Sequence, residues 1–259
     1  MFESKNNFLG NPSWFILHRV IFIGTSGFQY TEWRGTFYPA NFSPDKMLAY
    51  YAERFRTTEI NYSFYRIPSI KTLERWADGT PEGFVFSLKA PRRITHDAKL
   101  QGCEDVLERF VETVSVLGAR LGVVLFQLPP AFKKNLEILE AFLDAMPRSL
   151  RAAFEFRHPS WHEPEVFALL EKKNVALCIA ESEKLAAPVV ATADYGYLRL
   201  RREDYAESDI TRWAAVIEEH REKWKDVFVY YKHEEKGMGP KLALQLITAV
   251  NAASPSKDS

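Results

Sequence analysis

The sequence has little cysteine and no net charge. Cys103 and Cys178 are the only two cysteines among 259 residues, and each lies in an apolar periodic segment. This argues against a disulfide framework and against a zinc site built on paired cysteines. The 34 Lys and Arg residues balance the 34 Asp and Glu residues. No overall field therefore attracts the chain to nucleic acid or anionic lipid, and any such attraction has to be local.

Long hydrophobic runs are also missing. No run approaches the roughly 18 apolar residues of a membrane-spanning helix. The apolar stretches near the N-terminus are interrupted by His18 and Arg19, which is not typical of a signal peptide. We therefore expect a cytoplasmic protein without membrane contact. Residues 1–19 are predicted to be a leader, and residues 254–259 a frayed tail.

What the chain does contain is an alternation of buried strands and helices. Near-continuous apolar runs alternate with segments of about 10 to 15 residues that carry apolar positions at helical spacing. The predicted strands start at Val20, Thr57, Phe84, Gly122, Ala152, Val175, Tyr195 and Val227. The sixth connection, from Glu181 to Asp194, leaves room for one helical turn at most.

This pattern predicts an α/β fold, a TIM (β/α)8 barrel with a weak sixth helix, formed as one domain by residues 20–253. An open doubly wound sheet is the alternative. No Gly-x-Gly-x-x-Gly follows the first predicted strand, so the barrel is favoured.

Charged and polar side chains stand near the carboxyl ends of these strands. Burying such a group is energetically unfavourable, so we expect it where it has a function. In this fold that place is the barrel mouth, where active sites lie. A period of two places Glu59 with Asn61, and Glu155 with Arg157, on one face of their strands. The candidate catalytic residues are Glu59, Lys89, His96, Glu155, Arg157 and His158. The candidate substrate-binding residues are Gly24, Ser26, Tyr30, Asn61, Tyr65, Gln127, Trp161, Arg199, Lys232 and His233.

The charges at the strand ends favour an anionic ligand. Two are negative, Glu59 and Glu155, and four are positive, so a phosphate or carboxylate is expected. A buried ion network that only closes the barrel is the structural alternative, and Gly24 could equally serve a tight turn. Buried ion pairs rarely stabilise a protein more than apolar packing does, which favours the functional interpretation.

Histidine and carboxylate donors leave a metal site open as an alternative. His96, His158 and His233 are candidate proton carriers, and with the two glutamates they have donor types that suit zinc or manganese. No ligand spacing is diagnostic, and the neighbouring cations would repel a metal. No metal site is therefore predicted, no cofactor motif is present, and a divalent metal stays an alternative.

Several ordered motifs resemble one family. They are Gly24-Thr-Ser-Gly-Phe-Gln-Tyr30, Trp33-Arg-Gly-Thr-Phe-Tyr-Pro39, Glu59-Ile-Asn-Tyr-Ser-Phe-Tyr-Arg66, Lys89 with Ile94-Thr-His96, Gln127-Leu-Pro-Pro130 and Glu155-Phe-Arg-His-Pro-Ser-Trp161. Together they resemble the YecE-like proteins of DUF72, a family of unknown function, from about Ile21 to Val250.

The resemblance implies a TIM barrel in a bacterial or archaeal cytoplasmic protein, and it implies no reaction. Many members of the family carry His-Gly after strand seven and two Asn after strand eight. This chain has Arg201-Arg202 and Lys232-His233-Glu234 at those places. The departure makes the predicted pocket more cationic.

Three functions compete at this point. The first is a hydrolase or lyase acting on a small anionic metabolite, with Glu59 or Glu155 as general base and a rim histidine as acid. The second is nucleic-acid binding or metal-dependent phosphodiester cleavage, in which exposed rings would stack on bases and four cations would contact phosphates: Arg199, Arg201, Arg202 and Lys232. The third is a ligand sensor without catalysis.

Overall fold

The computed structural model describes residues 19–183 and 186–253, in which eight parallel strands form a closed barrel. The strands are β1 (Val20–Ser26), β2 (Thr57–Ile60), β3 (Val85–Lys89), β4 (Leu121–Gln127), β5 (Ala152–Glu155), β6 (Ala176–Glu181), β7 (Tyr195–Leu200) and β8 (Asp226–Tyr231). Each strand pairs with the next along the chain, and β8 pairs with β1. The sheet therefore has no free edge, and the predicted TIM barrel is confirmed.

Helices surround this barrel. The described residues contain α1 (Met47–Ala52), α2 (Ile70–Asp78), α3 (Glu104–Ser115), α4 (Leu136–Ala145), α5 (Pro164–Lys172), α6 (Glu207–Glu219) and α7 (Met238–Ala253). The described part of the connection between β6 and β7 holds no helix, only an isolated bridge between Glu181 and Ala186. The weak sixth helix is confirmed in this respect, since Ala187 and Pro188 offer neither caps nor helical periodicity there.

Local signals in the sequence explain where several helices begin. The Ser69 side chain caps α2 by accepting a hydrogen bond from the Thr72 backbone N–H. Asn135 caps α4 in the same way, and α5 begins with Pro164, whose missing N–H needs no partner at that position. These caps set where each helix starts after its loop at the barrel mouth.

The period of two along each strand separates the barrel interior from the layer under the helices. In β5, Ala153 and Glu155 face the interior, while Phe154 faces outward and meets Phe142 of α4, with ring centroids 6.2 Å apart. In each of the other strands, alternate residues likewise face inward and fill the rest of the interior. As a result, one set of side chains from all eight strands decides what lies at the mouth.

Almost all residues of the two predicted end segments lie outside the residues that the structure describes. Of the leader only Arg19 is described, and the tail, residues 254–259, lies outside the described residues. Among the described residues, no helix is both long enough and apolar enough to cross a membrane.

Candidate active site

Two carboxylates share one guanidinium inside the barrel mouth. Glu59 of β2, Glu155 of β5 and Arg199 of β7 are buried almost completely. Arg199 Nη2 donates to Glu59 Oε1 at 2.8 Å, and Arg199 Nη1 donates to Glu155 Oε2 at 2.5 Å. The three residues form the mouth cluster, and they come from strands on opposite sides of the barrel.

Every oxygen of the two carboxylates accepts at least one hydrogen bond. Glu59 also accepts bonds from Ser26 Oγ and from Tyr197 OH, the latter at 2.6 Å. Glu155 Oε1 accepts from Arg201 Nη2 at 2.8 Å and from Arg157 Nε at 3.1 Å. A buried charge is stable only when it is paired and bonded in this manner.

These contacts keep both glutamates ionised. Burial alone would raise the pKa of Glu59, but Arg199 and the bonds from Ser26 and Tyr197 outweigh it and lower that pKa below its usual value. Burial would also raise the pKa of Glu155, yet Arg199, Arg201 and Arg157 hold it well below its usual range. A carboxylate with a lowered pKa and occupied oxygens is a poor proton acceptor at neutral pH, so the expected general-base role fits neither glutamate in this arrangement.

Lys89 is the ionisable group of the mouth that lacks a carboxylate partner. Its Nζ donates to Gln127 Oε1 at 2.7 Å and lies 3.9 Å from the centroid of the Phe64 ring. Within the described residues it makes no salt bridge, because the nearby carboxylates are taken by arginines. Burial and the positive charge of Arg199 lower the pKa of Lys89 to about 7.

His96 lies next to Lys89, across the same aromatic ring. Its imidazole packs edge-on against Phe64, with ring centroids 4.9 Å apart, and its Nδ1 is 2.9 Å from Thr95 Oγ1. Burial, Lys89 and Arg157 lower the pKa of His96, so the imidazole is largely neutral at pH 7. Lys89, whose pKa is about 7, and the His96 imidazole, whose pKa is lowered, thus lie on the same ring.

Three predicted binding residues lie beside the mouth cluster near the carboxyl ends of β1 and β2: Ser26, Tyr30 and Asn61. Asn61 Nδ2 donates to Ser26 Oγ at 2.6 Å, and Ser26 Oγ in turn donates to Glu59. Tyr30 OH donates to the Ser26 carbonyl at 2.8 Å. Gln127 is almost fully buried; its Oε1 accepts a hydrogen bond from Lys89 Nζ, and its side chain also helps to lower the pKa of Glu155.

Two other predicted binding residues, Gly24 and Trp161, make close packing contacts within the fold. A Cβ at Gly24 would lie 2.2 Å from the Thr57 carbonyl oxygen, so glycine lets β2 approach β1. Trp161 is fully buried, stacks on Phe156 and donates its indole N–H to the Phe132 carbonyl at 2.7 Å. These contacts give Gly24 and Trp161 a role in packing, and their role in substrate binding stays a prediction.

His158 and the residues after β8 make local contacts, and their catalytic or binding roles stay predictions. His158 Nδ1 accepts a bond from the Ser160 N–H and caps the short turn Pro159–Trp161. His233 Nε2 is held at 2.5 Å from the Arg202 carbonyl oxygen. Lys232 is largely exposed on the outer rim, and its Nζ lies 3.9 Å from a Glu234 oxygen. Tyr65 is the most exposed of the predicted residues, with 76% of its surface accessible.

Two members of the site were not singled out as site residues from the sequence. Tyr197 lies two positions before Arg199 on β7, so the period of two already placed both on one face. Arg201 follows the strand and reaches back to Glu155. Within the described chain, no three His, Cys, Asp or Glu side chains gather as a metal site would require.

The family match covers most of the chain. A family model described as "Protein of unknown function DUF72" matches residues 22–258. The chain is 35% identical over 112 residues to UPF0759 protein YecE of Escherichia coli K12, which covers 43% of this chain and 41% of that protein. It is 29% identical over 157 residues to UPF0759 protein YunF of Bacillus subtilis, covering 57% and 54%. The matches thus span about half the length of these curated relatives.

Solved structures resemble the barrel closely. A DUF72 family protein from Thermotoga maritima is 26% identical, with a TM-score of 0.77 over 90% of this chain and 99% of that one. A DUF72 family protein from Enterococcus faecalis gives 19% identity and a TM-score of 0.73, over 93% and 100%. An endo-β-1,4-glucanase from Xanthomonas axonopodis gives 12% identity and a TM-score of 0.55, over 90% and 99%, which is a likeness of fold alone.

Proposed function

The chain belongs to the DUF72 family, and we propose that it is an enzyme of the hydrolase or lyase class. It acts on a small anionic substrate, a phosphate or carboxylate, at the carboxyl end of the barrel. The observation that carries the proposal is Lys89, an amine without a carboxylate partner beside two carboxylates that are fully committed to arginines. Buried ionisable groups with perturbed pKa values concentrate at active sites.

Lys89 is the group best suited to move a proton. An amine with a pKa of about 7 is present in both protonation states near neutral pH, which general acid–base catalysis requires. The neutral His96 imidazole packs on the same Phe64 ring and provides a second exchange group. We therefore propose Lys89 and His96, rather than a glutamate, as the groups that accept and donate the proton.

The mouth cluster would position the cations rather than react. Glu155 holds Arg157 and Arg201, and the Arg157 side chain keeps a third of its surface accessible. Such fixed guanidinium groups bind an anion without reorganising when it arrives.

The experiment begins with a thermal-shift screen of phosphorylated and carboxylated metabolites, followed by turnover assays on those that bind. We expect Lys89→Met to lose turnover by at least about 100-fold while the fold is retained. Lys241→Met, an exposed lysine of α7, is the matched control and should leave turnover unchanged. No preference for anions in the screen, or a Lys89→Met variant as active as the wild type, would refute the proposal. Tight binding without any turnover would identify a sensor instead.

The nucleic-acid alternative receives less support at the residues on which it rested. Arg199 and Arg201 are bonded to buried glutamates, and Arg202 is bonded to Asp209. Their charges are therefore neutralised locally, and only Lys232 of the four cations stands on the outer rim. A nucleic-acid strand would need other cations to contact its successive phosphates.

A further inference from the structure

Two cavities lie beside the barrel mouth and share one wall. The first, of about 590 Å³, is bounded by the loops after β1 and β2 and by α2. The second, of about 490 Å³, is bounded by the loop after β3 and by α3. Arg66, Ile67 and Ser69 line both, so the two cavities lie side by side along this segment. We call the surface of the two cavities the arginine groove, after Arg66, Arg75, Arg92, Arg93 and Arg109.

The arginine groove carries a concentrated positive charge. The residues lining its two cavities include five arginines and neither aspartate nor glutamate, although the whole chain is neutral. Arg92 pairs with Asp97 at 3.0 Å. Within the described chain the other four arginines form no salt bridge, and they are exposed. Scattered surface arginines are ordinary, but a one-signed surface in a neutral protein focuses anions locally.

Flat, accessible rings accompany these cations. Tyr62 is 50% exposed and Tyr65 is 76% exposed, and both line the groove, as does the half-buried Trp76. Guanidinium groups match phosphate oxygens in geometry, and exposed aromatic faces stack on nucleobases. Exposed rings interleaved with unpaired arginines therefore fit a ligand that has both phosphates and flat bases.

The groove leads to the reactive groups of the mouth. Phe64 lines the second cavity, and Lys89 Nζ lies over the same ring. Asn61 and Tyr30 line the first cavity, and both bond to Ser26, which donates to Glu59. A ligand held in the groove would therefore lie against the Phe64 ring, which Lys89 also contacts.

We propose that the arginine groove binds nucleotides, with their phosphates on Arg66 and Arg93 and their bases on Tyr62 and Tyr65. The proposal deepens the function proposed for the mouth and rests on it, since it makes the anionic substrate a nucleotide or a short single strand. Each cavity falls in the size range of small-ligand sites, which leaves room for at least one nucleotide in each.

The test measures binding of the full chain to a fluorescein-labelled oligo-dT of about ten nucleotides, a length within the range bound by one domain. Anisotropy is recorded at several salt concentrations, and ADP, adenosine and inorganic phosphate serve as competitors. We expect saturable binding that ADP displaces better than adenosine or phosphate. Arg66→Gln with Arg93→Gln should weaken binding at least about tenfold, and should lower the slope of log K against log salt by about 0.7 for each arginine removed.

Arg148→Gln is the matched control, because this exposed arginine precedes β5 at the opposite end of the barrel. If ADP binds directly and the oligonucleotide does not, the ligand is a free nucleotide, and if both bind it includes a strand. The proposal fails if neither binds at low salt, if phosphate competes as well as ADP, or if the double variant binds like Arg148→Gln. Lys89→Met should keep this binding, so loss of turnover and loss of groove binding are separate results.

Discussion

The two ends of the barrel interior are equally buried but are filled by different physical interactions. At the amino end, Phe22 of β1 stacks on Phe228 of β8, with ring centroids 4.9 Å apart. At the carboxyl end, the corresponding space holds Glu59, Glu155 and Arg199. Between them, the Tyr230 hydroxyl lies 2.7 Å from Thr57 Oγ1 and donates to Ser87. The interior therefore changes from apolar to ionic along a single axis.

This difference distinguishes apolar packing, which stabilises the barrel, from a charged cluster that stability alone does not require. Apolar packing would stabilise the carboxyl end as well as an ion cluster does, or better, because the desolvation of three charges has to be overcome there. The chain uses that packing at the amino end only. The fully buried ions of the carboxyl end, which lie beside partly accessible cations and an amine without a carboxylate partner, therefore support the site proposed there.

The greatest loss of stability is expected from Arg199→Leu. The change would leave two buried carboxylates without their shared cation, and breaking a buried pair in this way costs about 4 kcal/mol. Urea denaturation at neutral pH would measure the free energy of unfolding. Arg148→Gln should change it by less than about 0.5 kcal/mol. If Arg199→Leu lost less than about 1 kcal/mol, the cluster would behave like an exposed surface pair rather than a buried network.

A slightly smaller loss, about 3 kcal/mol, is expected for Phe22→Ala at the other end. The substitution removes a stacked ring and leaves a cavity that Phe228 cannot fill. Ligand binding at the mouth should persist under conditions where the variant is folded. If binding and stability fell together, with circular dichroism still native, the two ends would not be independent.

Tyr197→Phe is expected to cost about 2 kcal/mol, because a buried carboxylate loses one donor. The pKa of Glu59 is lowered in the folded state, so its stabilisation is present above the unfolded pKa and is lost as pH falls through the folded one. Without Tyr197 that folded pKa rises, and the loss begins at a higher pH. Unfolding free energies measured from pH 7 downward would detect the shift. Identical acid limbs in variant and wild type would contradict it.

In contrast to these losses, Lys89→Met is expected to raise the free energy of unfolding below neutral pH, where the wild type has to keep a buried amine charged. The folded pKa of Lys89 is lowered to about 7, whereas the unfolded amine keeps its usual value. The unfolded state therefore binds more protons between these two values, and wild-type stability should rise with pH across that range. In urea denaturation at a series of pH values, the difference between variant and wild type should shrink toward about pH 10, near the unfolded pKa. A difference that does not vary with pH would mean that Lys89 titrates normally.

The order of elements and the face of each strand could be predicted from the sequence. Apolar runs at regular intervals indicated a closed parallel sheet, and the period of two placed Glu155 inward and Phe154 outward, as observed. The missing helical periodicity after β6 was also visible. These features are local, so a short window of residues is enough to specify them.

Which distant residues pair with one another could not be predicted from the sequence. Glu59 and Arg199 are 140 positions apart, and only barrel closure brings them to 2.8 Å. The same closure pairs both glutamates with arginines and leaves Lys89 without a carboxylate partner, which is why we propose Lys89 rather than a glutamate as the group that moves a proton. The arginine groove is likewise assembled from three separate loops and two helices.

The linear order of residues was enough to specify the barrel and the polar character of its carboxyl end, because the hydrophobic period is a property of neighbouring residues. Which charges neutralise one another, and which remain available, depended on folding, because a pKa responds to burial and to charges within a few ångströms. Those charges come from all sides of a closed sheet, and the distances between them are set only when the barrel closes.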